Sequence, residues 1–318
     1  MIETICSIEL PVGEKLLIKK NRMICENATG REGRAVIVSG IHGDELEGQY
    51  VCYEITRRIK EHPEYLKGIV DLYPAVNLLG MDLAQRNVPK VEMDMNRIFP
   101  GSMEGAVMER MAATLVEDIV GADICIDVHA SDKFVKEIPQ VRVNKEFAEK
   151  LLPFAKLMNV DMIWLNATAT VHESTLAYTM NMLGVPTLVV EMGLGTRINR
   201  AYGNQVVDGI FHLLREMGLW TGPVKEVKIP LVSTDGEVEF IRADYSGIFL
   251  PSIEHRHRIR MGDKIGEIID VLTGTVVQEI VAQNDGLVFT LREYPFVYEG
   301  ALIARILTGI KGGVKGCI

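Results

Sequence analysis

The stretch Gly40–Glu45, Gly-Ile-His-Gly-Asp-Glu, places a histidine and a carboxylate three residues apart, directly after the apolar run Ala35–Ser39. A second histidine, His129, stands at the end of another apolar run. Two imidazoles and one carboxylate form the protein ligand set of many catalytic zinc sites, whose fourth position is left to water. We therefore predict that His42, Glu45 and His129 bind a metal ion, and we interpret the chain as a zinc hydrolase.

Each predicted ligand taken alone also has a simpler structural explanation. Acidic residues such as Asp44 and Glu45 near the start of a helix are favoured by the helix macrodipole. A histidine at the end of an apolar strand, such as His129, can be a core residue that bonds to a carboxylate. Asp127 stands two positions earlier and points to the same side of that strand, where it would orient the imidazole. The metal interpretation depends on the two histidines occurring together with Glu45.

Glu191 is a candidate general base. It follows an almost wholly apolar run, 185–190, and precedes the glycine-rich turn 193–195. A partly desolvated glutamate beside an activated water can take up its proton and return it to a leaving amine. An exposed loop glutamate that caps the next helix is the structural alternative.

Arg86, Asn96 and Arg97 supply hydrogen-bond donors to a set of residues that is otherwise mainly acidic. Arginine suits planar, bidentate recognition of a carboxylate, and an adjacent asparagine adds a neutral donor. In isolation such residues usually lie in surface loops. Their significance therefore depends on the other members of the predicted site.

Short β-branched runs alternate with amphipathic stretches between about residues 34 and 220, which is typical of strands joined by crossover helices in a mostly parallel sheet. In such α/β sheets ligands gather beyond the carboxyl ends of the strands, where His42, His129 and Glu191 all stand. The predicted strands are Ala35–Ser39, Ile69–Tyr73, Ile124–Val128, Met162–Leu165 and Thr187–Val190. The predicted helices are Glu45–Glu61, Met103–Val120, Lys145–Met158, Ser174–Leu183 and Asn199–Met217.

Helical periodicity disappears near residues 219–223, and short alternating runs separated by Gly, Pro and Asn-Asp-Gly follow. We predict a zinc-dependent catalytic α/β domain over residues 1–222 and a small β-rich domain over residues 223–318. Three segments of the second domain, at 260–268, 280–288 and 299–306, resemble the lipoyl/biotinyl half-barrel. No lysine lies between Ile268 and Ile280, where a carrier domain presents its modified lysine, so we predict neither lipoylation nor biotinylation.

Composition narrows the classes of partner. The net charge of −9 and the pI near 5.4 argue against nucleic acid, whose phosphates require clustered Lys and Arg. The five cysteines are scattered, odd in number and without C-x-x-C spacing, which predicts reduced thiols in the cytoplasm. We find neither a signal peptide nor a run of about 18 to 20 apolar residues, so no membrane association is predicted.

As an ordered set, His42-x-x-Glu45, Asn96-Arg97, His129 and Glu191 resemble the zinc carboxypeptidase superfamily, and most closely its succinylglutamate desuccinylase/aspartoacylase family. The likeness extends to the stretch Asp-x-Asn-Arg-x-Phe-Pro-Gly at 94–101 and to the trailing β domain. The resemblance implies a carboxypeptidase-like, mostly parallel mixed sheet flanked by helices, with one Zn²⁺ per chain held by the two histidines and Glu45.

The resemblance also implies a role for each remaining site residue. Glu191 would be general base and acid, and Arg86 would polarise the scissile carbonyl and stabilise the oxyanion. Asn96 and Arg97 would bind a substrate carboxylate. Aspartoacylase places a further arginine upstream of its catalytic glutamate, and residues 179–182 here contain none, which argues against N-acetylaspartate as the substrate.

We therefore predict a deacylase that cleaves the amide bond of a small N-acyl amino acid. A metallocarboxypeptidase acting on short peptides is the first alternative. A non-catalytic zinc- or carboxylate-binding protein is the second, and the retained Glu191 counts against it. The acyl group, the amino acid and the formation of a homo-oligomer stay open at this point.

Overall fold

The structure is a computed structural model that describes residues 1–89, 91–166 and 173–309. In chain order the strands are β1 Ile2–Glu9, β2 Lys15–Ile24, β3 Arg34–Ser39, β4 Ile69–Tyr73, β5 Ile124–Ala130, β6 Val135–Asn144, β7 Met162–Asn166, β8 Thr187–Gly193, β9 Leu231–Thr234, β10 Val238–Arg242, β11 Gly247–Pro251, β12 Arg258–Ile259, β13 Lys264–Asp270, β14 Thr275–Val281, β15 Gly286–Arg292, β16 Phe296–Val297 and β17 Leu302–Thr308. The helices are α1 Glu47–Glu61, α2 Leu78–Asp82, α3 Val107–Ile119, α4 Ala148–Ala155, α5 Leu176–Met182 and α6 Arg200–Glu216.

The centre of the large sheet is the parallel array β4-β3-β5-β8. These strands are almost continuously apolar because helices cover both of their faces. On one face α1, α4 and α6 pack through residues such as Ile55, Leu151 and Ile210. On the other face α3 and α5 pack through Met111 and Met180. The predicted mixed α/β class is confirmed, and every predicted strand and helix is present with its bounds shifted by at most four residues.

Two parts of the large sheet were not predicted. Strands β1 and β2 form an antiparallel hairpin at one edge and join the sheet through β4. Strand β6 runs antiparallel to β8, so Gln140 lies opposite Glu191. The carboxyl end of β8 is therefore flanked on one side by β5 and on the other by a strand that carries charged residues.

After residue 222 the described regular structure is β-strand apart from one short 3₁₀ turn at 235–237. Strands β11, β13, β14 and β16 form a separate four-stranded sheet. Strands β10, β15 and β17 instead extend the large sheet, because β15 pairs with β6. Apolar side chains including Phe249, Ile268 and Ile306 fill the space between the two sheets. The C-terminal part is all-β, as predicted, and one sheet runs through both parts of the chain.

Four cysteines, Cys6, Cys25, Cys52 and Cys125, carry free thiols, and Cys317 lies outside the described residues. Among the described residues, no helix combines the length and the apolar character needed to cross a membrane.

A buried charged cluster fixes β2, β3 and β4 to one another. Asp71 on β4 is fully buried and accepts hydrogen bonds from Arg22 at 2.7 and 2.8 Å and from Arg34 at 2.8 Å. The Nζ atom of Lys20 lies 3.9 Å from the same carboxylate. Burial alone would raise the pKa of Asp71, but the bond from Arg22 and the charges of Arg34 and Lys20 outweigh it and lower the pKa.

We predict that Asp71→Ala lowers the free energy of unfolding by about 3–5 kcal/mol at pH 7, because it leaves buried cations without their partner. A folded pKa below the unfolded value means that this contribution is present above about pH 4 and is lost as the pH falls through the folded pKa. Urea unfolding between pH 7 and pH 3 tests this. The control is Glu61→Gln, which removes one member of an exposed ion pair with Arg57. If the difference in the free energy of unfolding between Asp71→Ala and wild type stays the same from pH 7 to pH 3, the stabilising role of the ionised Asp71 is contradicted.

Candidate metal and catalytic site

The loop between β3 and α1 can form only because glycines stand at its points of close approach. A Cβ atom on Gly43 would lie 2.0 Å from the carbonyl carbon of Gly80, and one on Gly48 would lie 2.0 Å from Ser39 Oγ. The first glycine lets the loop lie against α2, and the second lets α1 pack directly on β3. The glycines of the motif thus fix the position of the intervening His-Gly-Asp-Glu segment.

The structure brings the three predicted metal ligands together. Glu45 Oε1 lies 2.7 Å from His42 Nδ1, and Glu45 Oε2 lies 2.8 Å from His129 Nδ1. All three side chains are buried, and one potential ligand atom from each lies within 4.8 Å of the others. The two Nδ1 atoms therefore face a common centre beside a carboxylate.

A carboxylate stands behind each imidazole. Asp94 Oδ1 lies 3.1 Å from His42 Nε2, and Asp127 Oδ2 lies 3.1 Å from His129 Nε2. Such outer carboxylates fix the tautomer and orientation of metal-ligating histidines, leaving the other nitrogen for the metal. Asp127 was expected here from the alternation along β5, whereas Asp94 was not singled out from the sequence.

The electrostatics of the three side chains favour a negative charge on Glu45 and positive charge beside it. Burial alone would raise the pKa of Glu45, but the two imidazoles outweigh it and hold the pKa well below its ordinary value. Burial alone would lower the pKa of His129, yet Asp127 and Glu45 raise it well above its ordinary value. Two imidazole nitrogens and a carboxylate are donors that suit zinc and related divalent ions. The residues present therefore fit a metal ion.

Glu191 lies on β8 directly opposite His129 on β5. Both residues line a cavity of about 290 Å³, together with His42, Glu45, Arg86, Asn96 and Arg97. Burial raises the pKa of Glu191 to about 7, although the nearby charge of Arg142 opposes this. The structure thus places the predicted general base beside the predicted metal ligands.

The predicted cationic residues occupy different positions around this cavity. Arg86 donates to Glu45 Oε1 at 3.1 Å and to Asp94 Oδ2 at 3.2 Å, so it lies against the ligand group itself. Arg97 is exposed and donates to the backbone carbonyl of Asn96 at 2.7 Å. The carboxamide oxygen of Asn96 accepts a bond of 2.9 Å from the backbone N–H of Leu176, at the start of α5. Contact between Asn96 and a ligand would therefore be made by its amide donors.

Four charged residues that line the cavity were not predicted from the sequence: Asp132 between β5 and β6, Glu137 and Arg142 on β6, and Arg305 on β17. The signal available was the alternation of apolar and polar residues from Val135 to Asn144. Pro139 interrupts this pattern and argues against an interior strand. Arg305 lies more than 110 residues beyond Glu191, so only the fold reveals that they share a cavity.

Comparisons with known proteins agree with this arrangement. The catalytic-domain model of the succinylglutamate desuccinylase/aspartoacylase family matches residues 32–217, a range that contains all the predicted site residues. Over 290 residues the chain is 25% identical to the N-alpha-acetyl-L-2,4-diaminobutyric acid deacetylase of Halomonas elongata, a match that covers 87% of this chain and 82% of that protein.

Solved structures share the fold over nearly the whole chain. A succinylglutamate desuccinylase/aspartoacylase from Rhodobacter sphaeroides superposes with a TM-score of 0.77 at 23% identity, covering 92% of this chain and 90% of that one. The product-bound ectoine utilization protein EutE (DoeB) from Ruegeria pomeroyi gives 0.79 at 19% identity, covering 95% and 92%. The C-terminal β part therefore belongs to the shared fold.

We predict that Asn96→Ala lowers the free energy of unfolding by about 1–3 kcal/mol, because it leaves the buried N–H of Leu176 without an acceptor. Arg97→Ala should change stability by less than about 0.5 kcal/mol, because Arg97 is exposed. Thermal unfolding of the two neighbouring variants compares them directly. Equal stability of both variants would show that the Asn96–Leu176 bond does not hold α5.

Proposed function

The chain belongs to the succinylglutamate desuccinylase/aspartoacylase family, and we propose that it is a zinc-dependent hydrolase that cleaves the amide bond of a small N-acyl amino acid. The observation that carries the proposal is the buried His42, Glu45 and His129 group facing the same cavity as Glu191. The Halomonas elongata relative is named as a deacetylase of an N-acetylated amino acid, which supports this substrate class.

One zinc ion would be held by the Nδ1 atoms of His42 and His129 and by the carboxylate of Glu45. When bound, zinc supplies Lewis-acid activation of water and of the scissile carbonyl. Asp94 and Asp127 each have a carboxylate oxygen 3.1 Å from an imidazole Nε2 atom, and they would keep the two rings oriented.

Glu191 would accept a proton from the attacking water at its carboxylate and deliver it to the departing amine nitrogen. A carboxyl group acts best as both base and acid when its pKa lies near the working pH. Burial raises the pKa of Glu191 to about 7, which supports this double role near neutral pH.

Arg86 and Arg97 would bind different parts of the substrate. Arg86 donates at 3.1 Å to Glu45 Oε1, beside the proposed metal position, where its guanidinium would stabilise negative charge on the scissile carbonyl oxygen. Arg97 presents an exposed guanidinium at the cavity, where it would bind the substrate carboxylate in bidentate fashion, with an amide donor from Asn96 beside it.

The size of the cavity favours a deacylase over the alternatives. A volume of about 290 Å³ is at the lower end for small-molecule sites. It suits an acyl amino acid better than the extended peptide of a metallocarboxypeptidase. A non-catalytic zinc- or carboxylate-binding protein would not need the half-buried carboxylate of Glu191 in this cavity.

We also propose that residues 1–222 supply the catalytic chemistry and that the β-rich part, 223–318, is not a carrier domain. The turn between β13 and β14, Val-Leu-Thr-Gly at 271–274, contains no lysine, so the half-barrel likeness concerns the scaffold. A cytoplasmic location stays a prediction from the scattered free cysteines.

We predict about one zinc per chain in the purified protein and amine release from one or more members of a panel of N-acyl amino acids. Glu191→Gln should retain the zinc and lose activity by about 100-fold or more, because it removes the base and acid without removing a ligand. Glu216→Gln, an exposed glutamate on α6, is the matched control. Amine release from short peptides alone would favour the metallocarboxypeptidase. Bound zinc without turnover of any substrate would favour the non-catalytic binding protein. Absence of metal from the purified protein would reject the proposal.

We predict that Arg97→Gln raises KM about 10- to 100-fold with little change in kcat, because a hydrogen bond to a charged group contributes about 1.5–3 kcal/mol to binding. Arg97→Lys, which keeps the charge and loses the bidentate geometry, should give a smaller rise. Steady-state kinetics on the best substrate of the panel measures both. A fall in kcat at unchanged KM would place Arg97 in the chemical step instead.

A further inference from the structure

Glu137 is a fully buried carboxylate with an unusual number of partners for a residue that is not a predicted ligand. It accepts hydrogen bonds from Arg142 at 2.9 and 3.1 Å and from Gln140 at 3.1 Å, all within β6. Two further partners come from the C-terminal part of the chain. Thr290 on β15 donates at 3.3 Å, and Arg305 on β17 forms an ion pair with Glu137 Oε1.

Arg142 connects this carboxylate to the general base. While Nη2 of Arg142 bonds to Glu137, its Nη1 lies 3.4 Å from Glu191 Oε1. The charges therefore alternate along a continuous chain of four residues: Glu191, Arg142, Glu137 and Arg305. We call this chain the ionic quartet.

Trp164 on β7 limits the movement of both arginines. The guanidinium carbon of Arg142 lies 5.5 Å from the centre of the indole ring, and that of Arg305 lies 5.7 Å from it. The indole is itself held, because its Nε1 donates to Asp235 at 2.9 Å. The quartet is thus fixed by stacking as well as by charge.

We propose that Glu137 and Arg305 are positioning residues for Glu191, acting through Arg142, so that the C-terminal β part contributes to catalysis. The inference rests on the proposed role of Glu191 as general base. Without Glu137, Arg142 would be held by only one of its two carboxylate partners, Glu191. Its guanidinium would then turn toward any anion in the cavity. Arg305 prevents this because it fixes Glu137 from the opposite side.

The positions of the four residues favour this role over a merely structural one. Glu137, Arg142, Glu191 and Arg305 all line the cavity, whereas a stabilising ion pair could lie anywhere in the sheet. Glu137 is bonded to Arg142 and Arg305, and Arg142 in turn forms an ion pair with Glu191, so Arg142 links the two carboxylates. Small displacements of a catalytic group are costly, and about 1 Å can reduce a rate about 100-fold.

The test compares Arg305→Gln, Arg305→Lys and Thr290→Val with wild type. We expect Arg305→Gln to lower kcat about 10- to 100-fold with little change in KM or zinc content. Arg305→Lys, which keeps the positive charge, should lower kcat less than Arg305→Gln does. Thr290→Val removes one hydrogen bond to Glu137 and no charge, so it should fold normally and lower kcat by a smaller factor. Arg242→Gln, at an exposed position on β10, is the control and should match wild type.

Crystal structures of wild type and Arg305→Gln provide a readout that does not depend on knowing the substrate. Separation of Arg142 Nη1 from Glu191 beyond 4 Å in the variant supports the inference, even if the panel contains no substrate and the proposed function fails. An unchanged distance overturns it. A loss confined to KM would also overturn it, because Arg305 would then bind substrate and not position Glu191.

Discussion

Glu45 is a nearly fully buried carboxylate whose two oxygens each face one imidazole nitrogen, and the rest of the site is arranged around that requirement. A buried carboxylate is costly unless charged or hydrogen-bonding groups surround it. Its partners come from the end of β3 and the end of β5, which pair in parallel register with Ser39 opposite Val128. The register that gives the sheet its core therefore also aligns the two histidines on Glu45.

Charge alternates outward from this centre in two directions. Toward the loop after α2, Arg86 bridges Glu45 and Asp94. Toward the C-terminal part, Glu191 is followed by Arg142, Glu137 and Arg305. In both directions each of these side chains therefore lies beside a group of opposite charge. This explains how one cavity contains so many ionisable groups without a large unbalanced charge.

The elements that carry His42, His129 and Glu191 could be predicted because each residue ends an apolar run, and the carboxyl ends of parallel strands meet at one edge. Strand β6 could not, because charged residues and Pro139 interrupt its apolar pattern and its pairing with β8 and β15 joins segments far apart in sequence. The hairpin β1–β2 was missed for a related reason, since its burial alternates irregularly along an edge. Local periodicity reports burial, but β1 has no buried residue and β6 is buried by contacts that only the tertiary fold creates.

The charged residues that hid β6 from prediction also join it to β8 and β17. An interior strand carrying Glu137 and Arg142 is stable only if cations and anions from its neighbours meet it, and β8 supplies Glu191 while β17 supplies Arg305. Because β15 pairs with β6 and with β17, Arg305, which neutralises Glu137, belongs to the same sheet as Glu191, the proposed general base. A boundary drawn at residue 222 from composition thus separates two kinds of secondary structure, whereas the buried charges require residues from both sides of it.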